Sequence, residues 1–261
     1  MIQQLEQHFD NLCQLLFSQL QANEELSLAL NSELTDFVRL NRSLIRQNQS
    51  IRQITLDFNW QTNEKKINFG LSLTGNSEID QQLCTSLLNR ARAEASSLPE
   101  DKFIVPMQNR GTSHHYHQGK LLSIDQALNI ITESSKDVDL AGLYSSGFVI
   151  RANQNSKGQK HWFATEIFNL DYSLYCINAE GENKAVKNLY AGSHWSDQEF
   201  LHNLESSKKQ IPYLKRVNCQ IKPGAYRAYL APAAVNEITS MFSWNGFSYS
   251  ALRKGSSAFL K

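Results

Sequence analysis

LAGLYSSGFVIRANQNSKGQKHWFATEIFNLDYSLY, residues 140–175, reads as two long strands around one turn. The strands are expected at about Leu140–Ala152 and His161–Ile177. Between them Asn153, Asn155, Ser156 and Gly158 supply turn chemistry, because short polar side chains bond their own backbone and glycine and asparagine tolerate positive φ. A second reading of the same turn makes Arg151, Asn153, Asn155 and Trp162 the border of a binding groove. The run Gly142-Leu143-Tyr144-Ser145-Ser146-Gly147 is not a nucleophile elbow. That motif needs glycine two residues before the serine, where Ser145 has Leu143 and Ser146 has Tyr144.

Working outward, a third strand is expected at about Lys184–Tyr190, and Ser196 with Glu199 has capping-box spacing for a helix bearing Phe200, Leu201 and Leu204. Upstream, Ser123 with Gln126 opens a helix through Leu128 and Ile131. The stretch Pro99–Lys120 is polar and reads as irregular. Asn76 and Ser77 cap a helix carrying Ile79, Leu83, Leu87, Leu88 and Ala91. Between about residues 26 and 75 apolar and polar residues alternate, as in Ile54, Leu56, Phe58 and Trp60 against Gln53, Thr55, Asp57 and Asn59, which predicts an antiparallel meander. Ile2, Leu5, Phe9, Leu12, Leu16 and Leu20 recur at steps of three and four, the stripe of an amphipathic first helix. Beyond a boundary near Ile211–Pro223, Ala225–Leu230 reads as a strand and Pro232 as the first residue of a helix with Val235, Ile238 and Met241, with no closing element after Phe242. The fold class expected is α+β: an antiparallel or mixed sheet with packed helices over residues 1–212, then the beginning of a second, mostly-β domain over 213–261.

Composition excludes several classes. The 261 residues carry a net charge of +1, so no global field recruits nucleic acid or an anionic membrane. No apolar run approaches the ~18 residues of a membrane-spanning helix. The amino-terminal segment lacks a basic region before its apolar residues, and Cys13, Cys84, Cys176 and Cys219 are dispersed, so a cytoplasmic protein with reduced thiols is expected. Walker, Rossmann, EF-hand and zinc-finger spacings are absent. His114, His115 and His117 are the densest group of metal-binding side chains; in an extended segment His115 and His117 would share a face, whereas the surrounding Gly, Ser, Thr and Gln favour an exposed loop. Arg39, Arg42, Arg46 and Arg52 make a local basic stretch suited to an acidic peptide or phosphate, or to the solvated face of a hairpin.

The residue 140–175 run, with KAVKNLYAGSHW (184–195), PGAYRAYLAPAAVNEI (223–238) and WNGFSYSALRKGSSAFL (244–260), resembles the TldD/PmbA family of bacterial peptide-processing proteins; RLNRSLIRQ (39–47) is compatible. The resemblance implies a two-domain protein whose paired subunits enclose a cavity, with the substrate peptide bound as an added strand. In the TldD branch a helix carries HExxxH, and zinc activates water with the glutamate as base. Those positions fall here on Asn236, Glu237 and Met241. Only the glutamate matches; asparagine is a poor zinc ligand and a thioether suits softer metals. The pattern resembles the PmbA/TldE branch, which lacks the metal motif.

The resemblance therefore implies a subunit that shapes a substrate cavity without holding catalytic zinc. No cofactor is expected in this chain, and zinc only in a TldD-type partner. The implied partners are that subunit or a second copy, and an extended peptide; nucleic acid and membrane are not expected, although modulation of DNA gyrase is attached to the family's name. Two alternatives stand beside this one: an autonomous zinc peptidase using His114, His115 or His117, and a shortened remnant acting as a binding module.

Overall fold

A computed structural model describes residues 2–244 and 246–260. In chain order, the first compact unit, Met1–Val217, comprises α1 (Ile2–Ser18), β1 (Glu25–Asn41), β2 (Leu44–Gln61), β3 (Lys66–Ser72), α2 (Ser77–Ala95), β4 (Thr112–His117), α3 (Ile124–Ser135), β5 (Asp139–Asn155), β6 (Lys160–Ile177), β7 (Asn183–Gly192), α4 (Asp197–Lys208) and the single turn α5 (Ile211–Leu214). Its strands form one seven-stranded sheet in the order β3-β2-β1-β5-β6-β4, with β7 also paired to β6. All pairings are antiparallel except β4 with β6.

Period-2 alternation decides what each face of the sheet does. Even-numbered residues of β1, β2, β5 and β6 point to one side, where the helices lie. Because the strands are long, that side holds two cores. Leu26, Leu28, Leu30, Ile54, Leu56, Phe58, Trp60, Ile150, Ala152, Trp162 and Ala164 meet Phe9, Leu12 and Leu16 of α1 and Cys84, Leu88 and Ala91 of α2. At the other end of the same strands, Val38, Leu40, Leu140, Tyr144, Phe168, Leu170 and Tyr172 meet Leu128 and Ile131 of α3 and Phe200 and Leu204 of α4. The odd-numbered residues face away from all four helices.

The glycines of the 142–147 run have packing reasons. A Cβ on Gly142 would lie 2.7 Å from the Asp171 carbonyl oxygen, and one on Gly147 (φ +151°) only 2.2 Å from that of Leu34. Neighbouring backbone occupies the space a side chain would need.

Several expectations are corrected. Pro99–Lys120 is not wholly irregular: Thr112–His117 is an edge strand, parallel to β6. On α2 the buried face is Asp80, Cys84, Leu88, Ala91 and Ala95, while Ile79 and Leu83 are exposed. Asp80 tolerates full burial because the Thr74 and Gly75 amides, the Thr74 hydroxyl and His8 all bond its carboxylate. Ser123 forms its complete capping box, whereas the Ser196 amide donates to the Tyr190 hydroxyl at 3.0 Å; the Ser196 side chain still caps the Glu199 amide.

The second unit, Asn218–Lys261, contains α6 (Pro232–Ser243), the short α7 (Tyr249–Arg253) and a 3-10 turn at Ala258–Leu260. Pro232 stands at the start of α6, as its fixed φ favours. The expected strand at Ala225–Leu230 is not formed; no strand in this unit's described residues is available to pair with it. Phe242, Phe247 and Phe259 group at centroid distances of 5.4–5.9 Å and supply the closing contact after α6. No helix among the described residues is long and apolar enough to cross a membrane.

Candidate functional site

The structure separates the residues of the expected groove. Trp162 pairs with Ala152 on the helix side, 2% exposed within the first core. Arg151 and Asn153 lie on the opposite face, where Asn153 accepts a 2.6 Å bond from the Gln159 side chain. Asn155 is buried and builds the turn itself: its Oδ1 accepts from the Lys157 and Gln159 amides and its Nδ2 donates to the Gln108 carbonyl. Arg151 and Asn153 are thus parted from Trp162, which parity sends to the other side of the sheet; the aromatic beside Arg151 is Phe163.

The histidines are also divided. His115 and His117 share the open face, their rings stacked at 6.4 Å with His117 against Phe163. His114 points to the helix side, 3.2 Å from Glu6 of α1. Adjacent residues of a strand cannot converge on one ion, and no group of three or more His, Cys, Asp or Glu among the described residues is placed to hold a metal.

A concavity lies on the open face at the end of the sheet nearest the β1–β2 hairpin. It is a trough of about 1010 Å³. The register builds it row by row. Ala141 of β5 and Ser173 of β6 pair to form a floor of small side chains. Leu143 beside Asp171 makes one wall, Asp139 beside Tyr175 the other. Phe37 and Arg39 of β1 close one end, and Lys187 of β7 lies beside Ser173 at the opposite end. Arg42 overhangs the trough from the hairpin tip and also borders a second concavity of about 600 Å³ that runs past Tyr175 to Lys215.

That tip is held in a costly conformation. Arg42 and Ser43 have φ of 52° and 55°, left-handed values that non-glycine residues rarely adopt. Ser43 is buried and fixes them: its amide donates to the Leu140 carbonyl at 2.9 Å, its hydroxyl lies 2.9 and 2.8 Å from the Ser135 and Val138 carbonyls, and the Leu140 amide approaches that hydroxyl at 3.2 Å. Among the described residues neither Arg39 nor Arg42 forms an ion pair, and Lys187 meets Asp171 only at 3.7 Å with both half exposed. The arginines were visible in the sequence as a basic stretch. Their companions were not, because they come from four strands; the available signal was the apolar residues at odd positions, Leu143 and Tyr175, on strands whose even face already fills the core.

On α6, Asn236, Glu237 and Met241 occupy positions separated by one and four residues. Met241 is 60% exposed and the helix buries no side chain. An amide and a thioether do not fit a zinc site.

Comparison with solved structures places this architecture. TldE from Thermococcus kodakarensis superposes with a TM-score of 0.62 at 11% identity, over 79% of this chain and 47% of that one. The chain shares the fold of TldE. A candidate modulator of DNA gyrase from Bacteroides thetaiotaomicron matches at TM-score 0.58 and 9% identity, over 79% of this chain and 50% of that one. Another from Thermotoga maritima matches at 0.56 and 12%, over 79% and 48%. The chain thus spans about half the length of these TldE-like structures. No family model matches the sequence, and no curated protein does.

Proposed function

We propose that this chain is a PmbA/TldE-like, non-metal subunit of a peptide-processing complex, holding an extended peptide while a TldD-type subunit cuts it. The observation that carries this reading is the TldE fold of the chain; the resemblance read from the sequence adds that Asn236 and Met241 stand where the TldD branch would have two zinc-binding histidines. The chain's part is then binding and orientation. The open sheet face offers exposed Leu143, Phe163, Ile167, Tyr175 and Leu189 beside polar groups, a surface able to take apolar side chains while backbone and polar contacts orient the peptide. The zinc-bound water and its general base belong to the partner.

Co-expression with the TldD-type subunit of the same organism tests the reading. The two chains are expected to co-purify, and an unstructured peptide to be cleaved by the pair and not by this chain alone. Failure of this chain both to bind that subunit and to self-associate would sink the proposal. Stoichiometric zinc in this chain, lost on replacing His115 and His117, would instead favour an autonomous peptidase.

A further inference from the structure

We propose that the trough beside the β1–β2 hairpin is a carboxylate subsite, where Arg39 and Arg42 hold one carboxylate of an extended peptide. It rests on the peptide-handling reading above and adds a chemical preference to it. The two guanidiniums open onto one concavity without an ion-pair partner among the described residues, and a guanidinium presents paired donors that match a carboxylate. Lys187, weakly engaged with Asp171, adds a third positive charge. Asp139 and Asp171 line the same space. They oppose a polyanion or a doubly charged phosphate, and so limit the occupant to a single carboxylate with uncharged neighbours. Phe37, Leu143 and Tyr175 supply apolar surface for those neighbours, and the Ala141–Ser173 floor leaves room for a backbone.

The hairpin tip gives independent support. Asparagine or glycine would occupy the left-handed position of residue 42 at lower cost. Arginine is held there by the bonds of Ser43 to the segment from Ser135 to Leu140. A strained residue clamped by its surroundings and directed at a concavity is the pattern of a binding position.

The carboxylate could be a peptide's C-terminus or an acidic side chain. Fluorescence anisotropy on the full chain separates these, using a short apolar peptide labelled at its amino end and made as the free acid, as the C-terminal amide, and as the amide with one internal glutamate. The free acid or the glutamate form is expected to bind about tenfold more tightly than the plain amide, the value of one charge-assisted pair. Whichever form shows the preference names the source. Arg39→Gln and Arg42→Asn should each reduce it and the double variant abolish it, with thermal melts confirming that all three variants fold. Equal binding of all forms, a preference that survives in the double variant, or no binding by any form would overturn the subsite. Peptide binding that ignores the arginines would leave the peptide-handling reading standing, and co-purification with the TldD-type subunit judges that reading separately.

Discussion

Asp80 is a carboxylate in a core. Burial alone would raise its pKa; the bonds from the Thr74 amide and hydroxyl, His8 and the Gly75 amide outweigh that and hold it below the ordinary carboxylate value. A depressed folded pKa contributes stability above the unfolded pKa and loses it as pH falls through the folded value. Asp80→Asn is therefore expected to cost about 2–3 kcal/mol at neutral pH, since one amide end presents donors to donors. The gap between wild type and variant should close as pH drops below about 4. Urea unfolding at pH 7 and at successively lower pH measures it; a gap independent of pH would show that the charge contributes nothing. This residue also marks a limit of legibility. The helix of residues 77–95 is plain in sequence, but its stripe of Ile79 and Leu83 points outward. An aspartate on the buried face becomes readable only when its donors, from two other segments, are known.

The hairpin between β1 and β2 trades stability for the side chain it displays. Arg42→Asn should stabilise by about 0.5–1 kcal/mol, because asparagine tolerates positive φ better than arginine. Ser43→Ala should destabilise by about 2–3 kcal/mol, since it strips bonds from backbone groups at the end of α3, at Val138 and at the start of β5. Thermal or denaturant melts of both variants check the pair; a neutral Ser43→Ala would remove the clamp from the account of the tip. Elements with a local signature were legible: the three-strand meander, the β5–β6 hairpin and the caps at Asn76 and Ser123. The strand at Thr112–His117 was not. It is short and polar, lies at the edge of the sheet and pairs in parallel with a strand 48 residues further on, so no local pattern announces it. The trough shares that difficulty, because its floor and walls are fixed by register between distant strands.

At the scale of the molecule the two units differ in what holds them. Both hydrophobic cores consist only of residues from the first unit, Met1–Val217. In the second, α6 buries no side chain, and Ala251 is the only apolar residue there that is buried among the described residues. A 12-residue helix is marginal in water without an apolar face to dock, and a segment of this size seldom folds by itself. Ending the chain after Val217 is therefore expected to leave the thermal midpoint within about 3 °C of the full chain, the shift that roughly 1 kcal/mol produces in a domain of this size. An isolated Asn218–Lys261 peptide should show little helix by circular dichroism. The two results argue together. A large fall in midpoint on truncation would mean that the second unit is integral to the first. A strongly helical isolated peptide would mean that the phenylalanine group of residues 242, 247 and 259 suffices to order it. If neither occurs, the Met1–Val217 sheet is the folding unit, and the trough beside its hairpin should keep its carboxylate preference in the truncated chain, since every residue lining it lies before Val217.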